Sequence, residues 1–296
     1  MYFVKEQGLY KNYPFWSRIE WHLASSKVLA FGLDHLLHKP RVWWYARRRA
    51  RWLTSQSLTN FEAQVFSQNG EDGIVREIFR RIGEGSKFAV EFGIGNGTEC
   101  CTRDLLLNHG WAGLLIEGGK TYADNARSVF KLCPKVKIVH EYLSLENVLE
   151  VFSEHGVPDS PDLLVIDIDG NDYWILRRIL SSYRPRVVVM EYNSRWTPPK
   201  EWVMPYNTKY VWDGSAYFGA SLASLAKLAN SYDYTLVSCD SNGVNAFFVR
   251  SDLLEEHFSD HLLGVKHYSP PRYGRGFGHS VRMRQSKDYQ PPSQLS

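Results

Sequence analysis

The chain has 296 residues, 44% of them hydrophobic and 23% charged, with a formal net charge of +3. That length and apolar content suit one large α/β domain with additions, or two small domains, and exclude a chain too polar to bury a core. No apolar run approaches the roughly 20 residues of a membrane span, and the opening "MYFVKEQGLYKNYPFW" lacks the apolar stretch of a secretion signal, so a cytoplasmic address is expected. Cys100, Cys101, Cys133 and Cys239 have neither zinc spacing nor the density of a disulfide framework, and read as reduced thiols. The charge is polarised along the chain. Residues 1–60 hold ten Lys/Arg against three Asp/Glu and residues 264–296 six against one, leaving an acidic middle of nineteen against twenty-eight. Basic ends suit an anionic glycan, an anionic lipid surface or nucleic acid without choosing among them.

The first 60 residues read as a basic, aromatic, helical extension. Its segment "KPRVWWYARRRARW" (39–52) either lies on a membrane surface at its inner face or packs its tryptophans on the main domain. Nucleic acid is disfavoured as a partner, because no recognisable binding module surrounds the segment. From Gln68 a regular alternation begins. "GEDGIVREIFRRIG" is a helix stopped at Gly83, "KFAVEFGIG" a strand entering a glycine loop, and "TECCTRDLLLNHG" a helix. "WAGLLIEGG", "KVKIVHEY", "DLLVIDIDG" and "RPRVVVMEYN" are further short apolar strands, separated by the helices "TYADNARSVFKLC", "LENVLEVFSEHG" and "DYWILRRILSSY". Five strands alternating with helices imply a parallel sheet covered on both faces. A polar, aromatic insertion (192–221) follows, then the helix "SLASLAKLANSY" and two strands joined around Asn242-Gly243, the sequence of a tight antiparallel hairpin. The domain is thus expected over 61–263, with a poorly ordered basic tail over 264–296.

In an open parallel sheet the ligand sits beyond the carboxyl ends of the strands. Those ends present Glu91 with "GIGNG", Glu117, His140 with Glu141, Asp167 with Asp169, and Glu191 with Asn193. Gly93, Gly95 and Gly97 open a strand-helix turn to a ligand or serve tight packing; their GxGxG spacing departs from the dinucleotide GxGxxG. Glu117, at the end of the next strand, can accept two ribose hydroxyls. Glu91 beside the loop would repel a pyrophosphate but could hold an ammonium. A ribose, an ammonium and a sulfonium that tolerates acids describe S-adenosylmethionine better than a dinucleotide.

"SQNGEDGI", "FAVEFGIGNGTE", "GWAGLLIEGG", "LLVIDIDGNDYWIL" and "GVNAFFVRSDL", in this order over roughly residues 62–255, resemble a class I S-adenosylmethionine-dependent methyltransferase of the FkbM-like group. The resemblance implies a doubly wound, Rossmann-like, seven-stranded sheet, mostly parallel with an antiparallel last strand. By similarity Glu91, Gly93, Gly95 and Gly97 would surround the methionine part, Glu117 the ribose, and Tyr142 and Leu143 the adenine. Gln68 and Asn69 complete the pocket or belong to a helix start with Glu71 and Asp72. "DIDGND" is longer than the group's usual acidic motif, which leaves metal dependence open.

Methyl transfer to a hydroxyl requires alignment and removal of a proton. Asp167 is the first candidate for base or ligand. Asp169 and Asp172, with Glu191 and Asn193, could hold Mg²⁺ through oxygen; Asp167, Asp169 and Glu191 are the candidate metal set. Asp172 alternatively starts a helix capped by Asn171. His140 is a second candidate base, or a hydrogen-bonded strand-end histidine. The aromatic insertion, with Trp196, Trp202, Tyr206, Tyr210, Trp212, Tyr217 and Phe218, suits sugar rings or packs as a lid. The expected reaction is O-methylation of a saccharide or other hydroxylated acceptor. A DxD metal-dependent glycosyltransferase built on Asp167 and Asp169 and a non-catalytic cofactor-binding module are the alternatives.

Overall fold

The computed structural model describes residues 57–254, 258 and 261–272. Residues 1–56 of the expected N-terminal extension (1–60), including segment 39–52, lie outside them, as does the stretch from 273 onward; Leu58 is buried in the core of the main domain. The described residues run past the boundary expected at 263. Tyr268 donates its hydroxyl to the Ser194 carbonyl, Tyr192 donates to the Ser269 carbonyl, and Arg272 N–H donates to the Asn242 carbonyl.

Helix α1 (Glu71–Ile82) precedes β1 (Phe88–Phe92). The chain continues through α2 (Arg103–Asn108), β2 (Ala112–Glu117), α3 (Lys120–Val129), β3 (Val136–His140) and α4 (Val148–Glu154). It then forms β4 (Leu163–Ile166), α5 (Asp172–Leu180), β5 (Val187–Glu191), α6 (Leu222–Asn230), β6 (Tyr234–Cys239) and β7 (Asn245–Arg250). The sheet order is β3-β2-β1-β4-β5-β7-β6, with β7 antiparallel to both neighbours and the other pairs parallel. This is the expected seven-stranded architecture. The order reverses between β1 and β4, so their carboxyl ends diverge into the crevice where such sheets take their ligands.

The strands are nearly continuous in Val, Ile, Leu and Phe because helices cover both faces. Alternate residues divide between two cores. Val90, Leu164, Ile166, Val188, Met190 and Phe248 pack on one face, and Ala89, Leu163, Val165, Val187, Val189 and Phe247 on the other. The expected tight hairpin is instead a longer loop between Cys239 and Asn245. The buried Asp240 carboxylate organises it, accepting the backbone N–H groups of Asn242, Val244 and Asn245. Gly243 is still needed there: its φ is +74°, and a Cβ would meet the Ser269 carbonyl oxygen at 2.6 Å. No helix among the described residues is long and apolar enough to cross a membrane. The four cysteines are free, and all but Cys133 are buried.

Candidate functional site

Strand alternation sorts the polar strand ends by face. Glu91 shares its face with Ala89, Glu191 with Val187 and Val189, and Asn245 with Phe247 and Val249, all on the second core's side. Asp167, one residue beyond β4, continues the parity of Leu163 and Val165, and Glu117 that of Leu115. One face of the sheet therefore carries Glu117, Glu91, Asp167, Glu191 and Asn245 across five adjacent strands. Asn245 sits directly opposite Glu191 in the antiparallel pair.

Gly93 is the gap in this row. Its φ is +71°, and a Cβ would fall 1.5 Å from the Asp167 carbonyl oxygen. Only glycine lets the loop after β1 lie against the end of β4. Gly95, with φ +53°, has open space around its missing Cβ, and its N–H donates to Glu117 Oε2 at 2.8 Å. The other carboxylate oxygen of Glu117 accepts from Gly119 N–H, also at 2.8 Å. Gly97 differs from the other two. It does not line the cavity described next, and its missing Cβ makes room for Ala126 and Phe130 beside α3. Its place in the GxGxG run reflects packing, not the ligand contact expected of it.

A small cleft opens beside the loop. Its lining includes Glu71, Glu91, Glu99 and Asp167 as acids, and Gln68, Asn69, Asn96 and Asn245 as amides. Among the described residues no Lys, Arg or His lines it. Such a wall favours a cation and disfavours a pyrophosphate. Glu91 is held in place by the start of α2, accepting from Cys101 N–H, Thr102 N–H and the Thr102 hydroxyl. Burial outweighs those bonds and pushes its carboxyl up to about 7. Gln68 lines the cleft and donates to Glu99 at 2.7 Å, and its side chain makes no cap at the start of α1, where Gly70 holds the N-cap position. Glu71, Asn69 and Asn245 form a network behind it, with Asn69 and Asn245 donating to the Glu71 carboxylate.

The Tyr142 ring packs over Gly118, and a Cβ there would meet it at 2.9 Å. Leu143 is buried in the core behind. His140 stands apart from the acids. It ends the edge strand β3, three strands from β4, and its Nε2 pairs with the Gly118 carbonyl at 3.1 Å. At the spacing of neighbouring strands that is roughly 14 Å from Asp167, so the structure does not bring His140 to the acids as a second base.

A second group of acids adjoins the cleft at Asp167. Carboxylate oxygens of Asp167, Asp169 and Glu191 all lie within 4.8 Å of one another. Burial raises the Asp167 carboxyl well above the usual range, and the charges of Asp169, Asp172 and Glu91 add to it. Burial likewise raises Glu191, followed by the charge of Asp167. Asp172 takes the structural role. It begins α5 and accepts the N–H groups of Ile168 at 2.9 Å and Gly170 at 2.7 Å. These two bonds flank Asp169, whose φ of +58° is unusual for a residue with a side chain. Asn171 stands at the N-cap position, but its side chain makes no cap; it exchanges hydrogen bonds with the backbone of Asn207 in the insertion. Asn193 is likewise committed to the insertion, donating to Ala216 and Phe218 carbonyls and accepting from Arg195 N–H. It is therefore no metal ligand, contrary to its place in the sequence-based set.

The insertion covers the acids. The Tyr210 ring lies against Gly170, the Tyr142 hydroxyl donates to the Tyr210 carbonyl at 2.6 Å, and Trp174 Nε1–H donates to the Met204 carbonyl. Much of its aromatic content packs on itself. Trp196 stacks on Trp202 at 5.3 Å, and Tyr217 meets Trp202 edge-on. Trp212 remains 44% exposed.

The methyltransferase FkbM domain family matches residues 60–233, more than half of the 296 residues. The chain belongs to the FkbM methyltransferase family, a group of class I S-adenosylmethionine-dependent methyltransferases. The family match ends just before β6, and β6 and β7 complete the sheet beyond it. Membership replaces the glycosyltransferase alternative for the Asp167-x-Asp169 pair. No curated protein matches the sequence. Among solved structures, the METTL16 MTase domain is 18% identical (TM-score 0.32), covering 41% of this chain and 51% of that one. The citrinin polyketide synthase CMeT domain is 13% identical (TM-score 0.41), covering 64% and 55%. The chain thus spans about half the length of each. Magnesium protoporphyrin IX methyltransferase from Synechocystis PCC 6803, with bound SAM, is 10% identical (TM-score 0.41), covering 61% and 78%.

Proposed function

We propose that this FkbM methyltransferase transfers the methyl group of S-adenosylmethionine to a hydroxyl of a saccharide or similar polyhydroxylated acceptor. The carrying observation is the row on one sheet face, in which Glu117 and Asp167 flank the gap at Gly93. The cofactor's ribose falls to Glu117, its methionine part to the acid-and-amide cleft, and the sulfonium to the end of that cleft lined by Asp167. An acceptor hydroxyl entering from the Glu191 side meets Asp167 as its base. The sulfonium already activates the methyl carbon, so the chain's task is alignment and proton removal. As the hydroxyl oxygen bonds the methyl carbon, the carbon–sulfur bond breaks and the proton passes to Asp167. Mg²⁺ on the same carboxylates would add to the acidity of the hydroxyl. The insertion, whose Trp212 is exposed and meets Phe218 edge-on, would supply a stacking surface for a sugar ring.

The test is turnover of labelled S-adenosylmethionine against a glycan panel, comparing the wild type with Asp167→Asn. A methylated glycan with the wild type, and a loss of at least 100-fold with Asp167→Asn, is the expected result. Cofactor binding with no turnover on any hydroxylated acceptor favours the non-catalytic module; no binding at all overturns the reading.

A further inference from the structure

The acids beside Asp167 have no counter-charge of their own. Among the described residues none of Asp167, Asp169 and Glu191 takes part in an ion pair, whereas the buried Asp162 pairs with Arg186. Asp167 and Glu191 are half-buried and Asp169 is exposed, and like charges held this closely repel unless something positive joins them. We infer that Asp167, Asp169 and Glu191, completed by the side-chain oxygen of Asn245, bind one divalent, oxygen-seeking cation such as Mg²⁺ or Mn²⁺. This deepens the reading of the site as the acceptor side of a methyltransferase and rests on it for its catalytic meaning.

Distance is the first ground. Oxygens held about 2.1–2.6 Å from a common ion lie at most about 5 Å apart. The three carboxylates meet that limit as they stand, with ligand atoms within 4.8 Å of each other.

Asn245 is the second, and it does not depend on the carboxylates. It is 4% exposed, lines the same cleft as Asp167, and its Oδ1 is buried with no hydrogen-bond partner. The orientation of the amide is fixed, because Nδ2 donates to Glu71 Oε1 at 2.8 Å and the oxygen cannot take that place. Pairing across β5 and β7 sets Asn245 beside Glu191 on the face that also carries Asp167. A carboxylate cannot satisfy an amide oxygen, since both only accept. The missing partner is a cation or a donor brought by a ligand, and next to three carboxylates a cation satisfies all four oxygens at once. Four protein oxygens leave two positions of an octahedral ion for neighbouring hydroxyls of an acceptor. That geometry selects acceptors with adjacent oxygens, as a sugar ring offers.

Mn²⁺ titration of the purified full-length protein, following the free ion by electron paramagnetic resonance, tests the site without any turnover. The expected result is one Mn²⁺ per chain, displaced by Mg²⁺. Asp169→Asn should weaken it at least ten-fold, with an unchanged melting temperature and unchanged S-adenosylmethionine affinity. Asparagine accommodates the left-handed backbone of position 169 as readily as aspartate, so this variant isolates the lost charge. Asn245→Ala should also weaken Mn²⁺; an unchanged affinity overturns the role of Asn245. Wild-type protein that binds S-adenosylmethionine but leaves Mn²⁺ free overturns the site, as does Asp169→Asn binding as tightly as wild type. Mn²⁺ binding without S-adenosylmethionine binding would keep the metal site and sink the methyltransferase reading instead.

Discussion

Gly93→Ala probes whether the loop after β1 and the end of β4 act as one unit. Gly93 has φ +71°, and an added Cβ would stand 1.5 Å from the Asp167 carbonyl oxygen and 2.7 Å from its carbon. Ordinary contacts lie near 3.5 Å, so the two segments must part by about 2 Å. The left-handed backbone costs alanine roughly 1–2 kcal/mol, and forcing an extra carbon into a packed contact adds about 1–3 kcal/mol. The sum, about 2–5 kcal/mol, corresponds to a fall in Tm of roughly 5–15 °C for a domain of this size. Catalysis should suffer more, because displacing a reacting group by even about 1 Å can cost 100-fold. Thermal unfolding, S-adenosylmethionine titration and methyl transfer should be measured together, with Gly95→Ala as the control. A Cβ at Gly95 meets nothing within 4 Å, so only the backbone strain of roughly 1–2 kcal/mol applies there. A Gly93→Ala protein that melts within about 2 °C of wild type, with unchanged cofactor affinity, would refute the close approach as the reason for the glycine.

Glu117→Gln should keep the fold and weaken S-adenosylmethionine binding by about 10–100-fold, the equivalent of one charged hydrogen bond of roughly 1.5–3 kcal/mol; calorimetric titration reads it directly. Asp172→Ala leaves the N–H groups of Ile168 and Gly170 without their acceptor, and urea unfolding should show a loss of about 2–4 kcal/mol. Glu91 gives a pH signature. Its carboxyl is raised from 4.5 to about 7 by burial, so between those values the folded protein holds a proton that the unfolded chain has released. Stability then falls as pH rises through that window and is level above it, by about 3 kcal/mol from this group. Facing it are Asp72, Cys100, Cys101 and the Thr102 hydroxyl, none of them a cation. Unfolding free energies of wild type and Glu91→Gln at several pH values should converge at low pH and separate in favour of glutamine at pH 8; parallel curves would show that Glu91 is not protonated.

Local sequence carried the strands because burial on both faces demands Val, Ile and Leu runs, which turns interrupt visibly. It carried Glu117 and Asp167 because a polar residue at the end of an apolar strand has few structural uses. Three other residues show where local pattern stops. Gly97 belongs to the same alternating glycine run as Gly95, yet what fills the space of its side chain is Ala126 in α3. Asn171 precedes a helix and should cap it, but Asn207 of the insertion offers its backbone as a better partner, and Asp172 fastens the loop instead. His140 ends a strand as Asp167 does; only the strand order, which puts β3 at the edge, separates them.

Asn245 was the residue with the least signal and the largest consequence. In sequence it is one polar residue after a hairpin glycine. Its meaning depends on β7 entering the sheet between β5 and β6, which sets it opposite Glu191. The same insertion of an antiparallel strand adds an amide to a row otherwise made of carboxylates. An amide oxygen contributes to a cation site without adding charge, and its nitrogen ties the row to Glu71 behind the cofactor cleft. The face therefore runs from Glu117, held by Gly95 and Gly119, through Glu91 and Gly93, to Asp167 and the oxygen cluster. A cationic cofactor suits the first part and a cation-held, oxygen-rich acceptor the second, and Asp167, touching both, is where a methyl group would cross.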